Sequence, residues 1–543
     1  MQKYRSPIIT SPTDQAASQA TNRAAAQASN PGRRRFIGGS AAIAGGLALS
    51  PWFSGPALAQ PKRGGHFRIG KGHGQTTDSL DPGTFENGFM SSLSHAIHGH
   101  MTEVAPDGTV LPLLAESWET NDDATVWTFK LRPGLKYHNG DTLTSQNVIA
   151  SIDYHRGENS TSAAAPLVAQ ITDMRADGDN VVVFELSGGN ADFPFLLSDY
   201  HLAILPLKDG KVDFKSGNGL GTYKLDSFEP GVKARLSRNE EHWLDDRGFF
   251  DSIEMLVLID PNARMVALQS GEVDAIDKLD LKTVALFERQ PNVNVHSVAG
   301  TQHFTFAMST NKEPYTDNNV RMALKHAINR QELVDKILYG YGEIGNDHPI
   351  SRGQRFYNSE LAQTTYDPDK ARWYLKQSDM DTLQVNLSAS DAAYIGAVDA
   401  AVLYQAAAAP AGITIKVVRE PGDGYWSNVW MKKPFSAVYW SGRPVEDAML
   451  TLAYKSGVPW NDTFYSNETF DQLLDQARAE LDEDKRREMY WELQAILNQD
   501  GGAVIPMFAN FVFATNSKVG TPETFATNQD VDGERWAERW WFV

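Results

Sequence analysis

Short runs of apolar and polar residues between turns dominate the first half of the chain, and they predict β-strands. Residues 127–131 alternate apolar and polar side chains and end at the turn residues Pro133 and Gly134. The apolar run 181–184 follows the turn-forming residues 177–180. Alternation and β-branched runs between turns are both typical of strands. Residues 64–220 are therefore predicted to be rich in β-structure.

From about residue 317 onward, apolar residues recur at the spacing of amphipathic helices. The acidic run 482–484 separates the last two helical segments and suits the N-terminus of the second. Apolar runs at 435–440 and 503–508 indicate buried strands, so the mixture of elements predicts an α/β fold. The helical stripes are Val320, Leu324, Ala327 and Ile328; Leu333, Val334, Ile337 and Leu338; Phe470, Leu473, Leu474, Ala477 and Leu481; and Met489, Leu493, Ile496 and Leu497.

The N-terminal region has the character of an export leader. Residues 1–30 are rich in Ala, Gln, Ser and Asn without an apolar period, which indicates an unstructured extension. Arginines 33–35 then precede a mildly apolar stretch at 41–49, which is too short to span a bilayer, since that takes about 20 apolar residues. The sequence Ala-Leu-Ala at 57–59 is a small-x-small cleavage pattern. We predict a twin-arginine signal that is cleaved near Ala59-Gln60.

Composition and charge exclude several classes of chemistry and partner. The chain has 543 residues and no cysteine, which excludes disulfides, thiolate metal sites, a cysteine nucleophile and a lipidated cysteine anchor. Its formal charge of −18 argues against nucleic acid, because phosphate-backbone binders need a basic face. Without residues 1–59 the chain keeps 44 basic and 67 acidic residues, a net charge of −23. This length suggests several lobes.

Nucleotide-binding and catalytic motifs are not supported. Gly65, Gly70 and Lys71 have the spacing of a phosphate-binding loop, but Gly72 replaces the Ser or Thr that binds magnesium. The residues between them alternate as in a strand. The sequence contains no H-E-x-x-H motif and no G-x-S-x-G motif. We predict that the protein is not an enzyme and has no cofactor.

Three histidines close together raise the question of a metal site. His95 and His98 would share one helix face, whereas His100 would lie off that face. Neutral imidazole is also a normal buried hydrogen-bonding group. We therefore favour buried or surface histidines without a metal ion.

Residues 425–465 combine aromatic side chains with a few charges, a composition typical of a small-molecule cleft. The predicted strand at 435–440 ends at Ser441 and Gly442, which places Arg443 and Asp447 just beyond a strand end, where ligands often bind in α/β lobes. Arg443 could bind a carboxylate through two hydrogen bonds, or it could form a salt bridge with Asp447. The aromatic residues, many of which could equally be core, are Tyr425, Trp426, Trp430, Tyr439, Trp440, Trp460, Phe464 and Tyr465.

The longest motif is a block in two parts, LPLLAESW at 111–118 and WTFKLRPGLKYHNG at 127–140. It resembles the signature of bacterial extracellular solute-binding proteins of family 5, the peptide, opine and nickel class, which serve ABC importers. Shorter motifs follow in the family's order: Ser79-Leu80-Asp81-Pro82, Gly219-Leu220-Gly221-Thr222-Tyr223, Arg238-Asn239 with Trp243, Gly271-Glu272-Val273-Asp274, Val320-Arg321 with Ala323, Tyr366-Asp367-Pro368 and Ile505-Pro506.

The resemblance covers residues 61–543 and implies a particular α/β architecture. This is the two-lobed periplasmic-binding-protein fold of class II, cluster C type, with an extra β-rich domain and a hinge between the lobes. Hinge strands would lie near 300 and 505. The implied divisions are lobe I at 61–104, 219–300 and 505–543, the extra domain at 105–218, and lobe II at 301–504.

One departure from similar dipeptide binders concerns the strand-end motif. Those proteins carry W-x-G-D, whose acid holds the ammonium group of the ligand, whereas here Trp440-Ser441-Gly442 is followed by Arg443. A ligand cation would be left unpaired at such a site, which is unfavourable. We therefore expect Arg443 to receive a carboxylate or another anion. Asp447 or Glu446 would either orient Arg443 or bind a distal cationic group.

Six further residues are candidates for ligand contact. Trp426 and Trp440 could form stacking walls, and Gln302 and His303 come just after the proposed hinge. In this family, lobe I often contributes the loop after the S-L-D-P block. From that loop we nominate Phe85 and Asn87.

The resemblance implies a periplasmic solute-binding subunit that closes its lobes over a ligand. The ligand would be a peptide, an opine-like compound or another anionic or zwitterionic metabolite, delivered to a membrane permease that works with a cytoplasmic ATPase. We expect a monomer that is not lipid-anchored. The alternatives are an exported hydrolase that uses acids in the cleft and a periplasmic sensor or chaperone that presents ligands to a receptor.

Overall fold

The computed structural model describes residues 61–157, 160–422, 425–443 and 445–543. The predicted export leader at 1–59 lies outside the described residues. None of the helices in these ranges combines the length and the apolar character that a membrane span requires.

The region from 61 to 218 has more residues in strands than in helices, in line with the predicted β-rich character. Strands were expected at 127–131 and 181–184, and β5 and β7 below confirm both. The strands are β1 (His66–Lys71), β2 (Thr102–Val104), β3 (Val110–Pro112), β4 (Ala115–Thr120), β5 (Val126–Leu131), β6 (Ile171–Ala176), β7 (Val181–Leu186), β8 (Leu207–Lys208) and β9 (Lys211–Val212). The helices are a 3₁₀ turn (Pro82–Thr84), α1 (Gly88–Ile97), α2 (Ser145–Asp153), α3 (Ala165–Val168) and α4 (Phe193–Leu196).

The region from 219 to 300 adds strands that pair with β1. The helix that follows β12 starts at the N-cap Asp260, whose carboxylate accepts a hydrogen bond from Ala263 N, because an N-cap oxygen satisfies a free amide of the first turn. The elements are β10 (Tyr223–Glu229), β11 (Lys233–Arg238), β12 (Ser252–Val257), β13 (Ala275–Ile276), β14 (Val293–Val298), α5 (Pro261–Ser270) and α6 (Val284–Phe287).

The region from 301 to 510 alternates strands with amphipathic helices, which confirms most of the predicted helical stripes and the strands at 435–440 and 503–508. Ile328 and Leu481, which were assigned to stripes, lie outside the helices. The acidic run at 482–484 begins a helix as predicted, because Asp482 caps α14. The strands are β15 (His303–Met308), β16 (Gly342–Ile344), β17 (Leu383–Ala389), β18 (Ile413–Arg419), β19 (Phe435–Trp440) and β20 (Ala503–Ala509). The helices are α7 (Asn318–His326), α8 (Arg330–Ile337), α9 (Pro368–Gln377), α10 (Ala397–Ala408), a 3₁₀ turn (Ala409–Ala411), α11 (Tyr425–Asn428), α12 (Glu446–Ala453), α13 (Glu468–Ala479) and α14 (Glu483–Asp500).

The last part of the chain returns to the first large sheet. Its elements are β21 (Phe511–Asn516), β22 (Val519–Gly520), β23 (Trp541–Phe542), α15 (Asp530–Gly533) and α16 (Trp536–Arg539). The larger sheets have the strand orders β10-β11-β12-β1-β13-β21-β14, β16-β20-β15-β19-β17-β18 and β4-β5-β7-β6.

The chain crosses between the two largest sheets twice. It leaves the seven-stranded sheet after β14 and enters the six-stranded sheet at β15, through residues 299–302. It returns at Asn510, between β20 and β21. Residue 505, near which a hinge strand was expected, lies within β20. Both crossings join the six-stranded sheet at the same end of its inner strands, where β15 begins and β20 ends.

Each of the two largest sheets is covered by apolar side chains on both faces. Phe67 and Val512 belong to the two clusters of the seven-stranded sheet, and Phe306 and Ile505 belong to those of the six-stranded sheet. The four-stranded sheet packs one cluster around Phe129. Covering both sheet faces is the layered arrangement of an α/β fold, which confirms the predicted fold class.

Candidate functional site

The site is built at the end of β19, next to the two crossings. β19 pairs antiparallel with β15, so that Trp440, its last residue, lies opposite His303, the first residue of β15. The chain then turns through Ser441 and Gly442. A side chain at Gly442 would collide with Thr301 Oγ1, so the close approach of the strand end to the crossing requires glycine there.

Arg443 follows this turn and is partly buried. Its Nη1 donates hydrogen bonds to the backbone oxygens of Ser441 at 3.1 Å and Gly442 at 3.0 Å. Burial lowers the pKa of Arg443, while Tyr200 and Asp199 raise it through space. Within the described ranges, no carboxylate forms an ion pair with Arg443, whereas a buried guanidinium normally has a fixed counter-charge.

Arg443 lines a cleft that several separate segments form together. The empty space of this cleft is about 390 Å³, including its open mouth. It is lined by residues before 219, by Thr301 in the first crossing, by the segment 353–355, by the residues just after β19 and by the segment after β22. The lining residues are Val104, Ala105, Gly108, Phe195, Thr301, Gly353, Gln354, Arg355, Arg443, Val445, Glu446, Thr527 and Asn528.

Polar atoms around this cleft have no hydrogen-bond partner among the described residues. They are Thr301 Oγ1, Asn528 Oδ1 and His303 Nε2. Buried polar atoms in folded proteins are almost always paired, so such a concentration beside one arginine is unusual. Thr301 and Asn528 line the cleft with Arg443, while Thr301 Oγ1 lies against Gly442 and Asn528 Oδ1 lies near Gly533.

The two acids nominated beside Arg443 have different partners. Asp447 accepts hydrogen bonds from Arg478 Nε at 3.0 and 3.1 Å, so the alternative of a salt bridge between Arg443 and Asp447 is wrong, and Asp447 does not orient Arg443. Glu446 lines the cleft and accepts from the backbone N–H of Phe356 at 2.7 Å. Burial raises the pKa of both carboxyl groups.

Trp426 and Trp440 both lie near the end of β19, and each ring packs close to Trp430. Trp440 is 6% exposed and packs in the cluster of Ile505, with its ring 6.3 Å from Trp430. Trp426 is 39% exposed and its ring lies 5.5 Å from Tyr439. Neither tryptophan lines the cleft around Arg443.

Gln302 and His303 occupy the crossing itself. The backbone oxygen of Gln302 accepts a hydrogen bond from Ala509 N at 2.9 Å, which links the two crossings. His303 is fully buried, and burial lowers its pKa to about 4. It is therefore neutral near pH 7, and it stands close enough to Arg443 for that charge to lower its pKa further.

Phe85 and Asn87 belong to the segment that packs against the seven-stranded sheet. Phe85 is 2% exposed and belongs to the cluster of Phe67, while its carbonyl oxygen accepts from His201. Asn87 is the N-cap of α1, where its Oδ1 accepts from Phe89 N at 3.1 Å and Met90 N at 3.2 Å. Both roles are structural ones, and neither residue lines the cleft.

The three histidines at 95, 98 and 100 are all buried, which is one of the two interpretations favoured above. Burial lowers the pKa of each, to about 3 for His98 and His100. The rings of His95 and His100 are 4.9 Å apart. In the part of the chain that the structure describes, no group of three or more histidine or acidic side chains could hold a metal ion.

Most residues that line the cleft were not predicted from the sequence, among them Phe195, Thr301, Arg355 and Asn528. These four residues come from distant segments, and only the tertiary fold brings them together. One signal was available for Thr301, because it lies in the crossing next to the nominated Gln302. Nothing in the local pattern distinguishes Arg355 or Asn528.

The chain matches a known protein family over much of its length. Residues 109–462 match the family described as bacterial extracellular solute-binding proteins, family 5 Middle. The di/tripeptide-binding protein 1 of Pseudomonas aeruginosa (strain UCBPP-PA14) is 25% identical over 473 residues, which cover 77% of this chain and 85% of that protein. The dipeptide-binding protein of Escherichia coli (strain K12) is 24% identical over 472 residues, covering 79% and 86% respectively.

One solved structure is similar to this chain over nearly the whole length of the solved chain. It is the periplasmic binding protein DppA from Helicobacter pylori in complex with the peptide STSA, with a TM-score of 0.70 and 22% sequence identity. The alignment covers 88% of this chain and 99% of that chain. This similarity shows a shared two-lobed fold.

Proposed function

Because the chain belongs to the bacterial extracellular solute-binding proteins of family 5, we propose that it captures a small carboxylate-bearing solute and delivers it to an ABC importer. The solute would be peptide-like, opine-like or another anionic or zwitterionic metabolite. Arg443 receives its carboxylate in the cleft. Relatives of the chain are named as binding proteins for dipeptides and tripeptides, which contain this group.

The single observation that carries this proposal is the state of Arg443. The guanidinium is partly buried, lines the cleft and has no carboxylate partner within the described part of the chain. Other buried arginines are paired, such as Arg330 with Asp347 at 2.6 Å and Arg535 with Glu538 at 2.7 Å. A solute carboxylate would give Arg443 the same kind of charge-assisted hydrogen bonds.

The remaining groups of the cleft suit the other polar atoms of such a solute. Thr301 Oγ1 and Asn528 Oδ1 are oxygens without a partner in the described residues, and Asn528 Oδ1 can only accept a hydrogen bond. We propose that a polar residue of the cleft, such as Asn528, accepts a hydrogen bond from an amino group or a peptide N–H of the solute.

Binding works by closing two lobes. We assign lobe I to residues 61–104, 219–300 and 511–543, the extra domain to 105–218, and lobe II to 301–509; the lobe boundary expected at 505 moves to Asn510, because β20 belongs to the six-stranded sheet. The crossings at 299–302 and Asn510 act as the hinge. A solute shifts the open and closed populations by its higher affinity for the closed state, so no bond is made or broken.

The carrier works in the periplasm as a monomer without a lipid anchor. We propose export by the twin-arginine signal at 33–35, with cleavage near Ala59-Gln60. Its partners are a membrane permease and the cytoplasmic ATPase of the importer. N-terminal sequencing of the exported protein tests the leader: mature chains are expected to start near Gln60, and to be lost from the periplasm when Arg33 and Arg34 are changed to lysine.

The proposed solute class is tested by a thermal-shift screen of the mature protein against metabolites and peptides. A solute at 100 times its dissociation constant stabilises the protein by about 2.7 kcal/mol, which is readily detected. Carboxylate-bearing compounds are expected to raise the melting temperature, and Arg443→Ala to abolish the effect. Arg419→Ala is the matched control, because Arg419 is an exposed arginine at the end of β18. Hits without any anionic group would contradict the proposal.

A further inference from the structure

His201 makes hydrogen bonds through both of its ring nitrogens. Its Nδ1 lies 2.6 Å from Asp199 Oδ1, and its Nε2 lies 2.7 Å from the backbone oxygen of Phe85. A backbone oxygen can only accept a hydrogen bond, and the same holds for an ionised carboxylate. A neutral imidazole carries one N–H and can donate to only one of these partners. Both bonds together therefore require the doubly protonated, positively charged ring.

Asp199 is ionised, and His201 carries the matching charge. Oδ1 of Asp199 also accepts a hydrogen bond from the backbone N–H of His201 at 3.0 Å. Burial alone would raise the pKa of Asp199, but the hydrogen bonds and the charge of His201 outweigh burial and hold this pKa below its usual range. Burial alone would lower the pKa of His201, but the contacts with Asp199 outweigh it, and this pKa is raised. The two side chains therefore form a largely buried ion pair near pH 7.

The other titratable groups around this pair are neutral or already engaged. Burial lowers the pKa of His155 to about 4 and that of His100 to about 3, so both rings are neutral near pH 7. Tyr200, whose ring centroid lies 4.1 Å from that of His201, stays protonated because burial raises its pKa. Asp81, whose charge acts on His155, accepts a hydrogen bond from a tyrosine hydroxyl at 2.7 Å. His201 is therefore the positively charged member of this set.

Asp199 is connected to the cleft of Arg443 both by the chain and by its charge. Phe195, which lines the cleft, begins the turn that leads to Asp199, and its backbone oxygen accepts hydrogen bonds from Ser198 N at 3.1 Å and Ser198 Oγ at 2.7 Å. The negative charge of Asp199 acts on Arg443 through space. Asp199 nevertheless pairs with His201, and the described residues show no ion pair between Asp199 and Arg443.

We propose that protonated His201 positions Asp199 so that Arg443 stays free to receive the carboxylate of the solute. This inference rests on the proposed function of Arg443. A buried carboxylate without a counter-charge is strongly unfavourable, so Asp199 would compete with the solute for Arg443 if His201 were neutral. His201 is thus a positioning residue that acts through Asp199.

The proposal makes solute capture depend on pH. Because the pKa of His201 is raised in the folded protein, its ion pair with Asp199 is fully present below about pH 6.5 and is lost as the pH rises through the pKa of the folded state. Loss of the proton leaves Asp199 without its counter-charge. The affinity for a carboxylate is therefore expected to fall as the pH rises over that range.

Nuclear magnetic resonance of the solute-free mature protein tests the charge of His201 first. In protein that contains ring-labelled histidine, the signal that is lost in His201→Gln is followed from pH 5.5 to 10. Its midpoint is expected above the ordinary histidine value of about 6.5. A midpoint at or below that value would overturn the proposal.

The link to Arg443 is tested on the same protein with labelled arginine. The Cζ signal that is lost in Arg443→Ala is expected to shift with the midpoint of the His201 ring, because Asp199 loses its counter-charge there. This shift should be absent in Asp199→Asn and His201→Gln. It should persist in the controls Asp173→Asn and His66→Gln, which change an exposed acid and an exposed histidine. An Arg443 signal that does not move with His201 would contradict the positioning role.

Acetate, as the simplest carboxylate, measures the effect on binding through the Cζ signal of Arg443. The wild type is expected to bind acetate at least about threefold more weakly one pH unit above the midpoint than at pH 6, since a nearby negative charge opposes the anion. His201→Gln should bind acetate weakly at both pH values. Asp199→Asn and the double variant His201→Gln/Asp199→Asn should bind it equally well at both, because the competing charge is gone.

Two outcomes separate this inference from the proposal for Arg443. If acetate binding requires Arg443 but does not change with pH in the wild type, the role of His201 fails and the anchor at Arg443 stands. If acetate does not shift the Arg443 signal at any pH, while the His201 and Arg443 signals still share one midpoint, the anchor fails and the positioning of Asp199 by His201 stands. Circular dichroism of each variant checks its fold.

Discussion

Two arginine sites in this protein are built in opposite ways. Asp192, which is 2% exposed, accepts hydrogen bonds from Arg355 Nη2 at 2.9 Å and from Arg486 Nη2 at 2.6 Å. It joins the β-rich part of the chain to the region of the six-stranded sheet. At the end of β19, by contrast, Arg443 donates to the backbone oxygens of Ser441 and Gly442, and no carboxylate among the described residues forms an ion pair with it.

The difference distinguishes a structural arginine from one that binds a ligand. Desolvating a guanidinium costs several kcal/mol unless an opposite charge compensates it. At Asp192 the protein supplies that charge itself, so the contact contributes to stability. At Arg443 the compensating charge has to come from the solute, so the same desolvation contributes to affinity and selectivity.

The largest effect is expected from Asp192→Ala. The substitution leaves the buried Arg486 without its carboxylate and removes one acid from Arg355, which should lower the free energy of unfolding by about 3–5 kcal/mol. Urea denaturation measures this loss. Asp153→Ala is the control, because Asp153 forms an exposed pair with Arg156 and should matter little. A loss no larger than that of the control would show that the junction is not a stabilising contact.

A matched pair of substitutions compares the two arginines directly. Arg486→Met should destabilise the protein by about 3 kcal/mol, because Asp192 loses a buried partner. Arg443→Met should change the unfolding free energy of the solute-free protein by less than about 1 kcal/mol, since a charge without a partner is replaced by an apolar side chain. Equal destabilisation in the two variants would assign Arg443 a structural role.

A buried histidine that stays neutral in the folded protein predicts that stability depends on pH. His348 is fully buried without a partner for either ring nitrogen in the described residues, and burial lowers its pKa to about 3. In the unfolded chain this histidine binds a proton near pH 6.5, whereas in the folded protein it binds one only near pH 3. The free energy of unfolding is therefore at its full value above about pH 6.5 and decreases as the pH falls below that.

Replacement of this histidine should therefore flatten the pH profile. His348→Gln is expected to reduce the slope of unfolding free energy against pH, below about pH 6, by up to about 1.4 kcal/mol per unit. Urea denaturation at pH 7.5 and 5.0 measures that slope. The exposed His66 provides the control His66→Gln. An unchanged slope in His348→Gln would mean that His348 is charged in the folded state.

The smallest effect concerns Asn87, which was nominated for ligand contact and caps α1. Asn87→Ala should cost about 1 kcal/mol of stability through the lost cap, and Asn87→Ser should restore most of it. Solute affinity should stay the same in both variants. A fall in affinity without a fall in stability would place Asn87 in the binding site instead.

Much of the fold could be predicted from local patterns. The strand at β19 ends at Trp440 as its apolar run predicted, and α14 begins at the acidic residues that suit a helix N-terminus. Such features depend on neighbours in the sequence, because periodicity and capping act within a few residues. The position of Arg443 just beyond a strand end could be predicted for the same reason.

The partners of the site could not be predicted in this way. Asp447 is four residues from Arg443 but pairs with Arg478, on a different helix. Thr301 and Asn528, which lie in the cleft with Arg443, are separated from it by more than 80 residues on either side. Which groups meet in a cleft depends on the packing of whole lobes, and no short motif records it.

The central claim is that Arg443 receives the carboxylate of the solute. Titration calorimetry of an identified solute and of its carboxamide, against the wild type and Arg443→Ala, tests it most directly. Hydrogen bonds to a charged group contribute about 1.5–3 kcal/mol, so the wild type should prefer the carboxylate by at least about tenfold. Arg443→Ala should bind both compounds equally. A preference for the carboxylate that survives in Arg443→Ala would contradict the account.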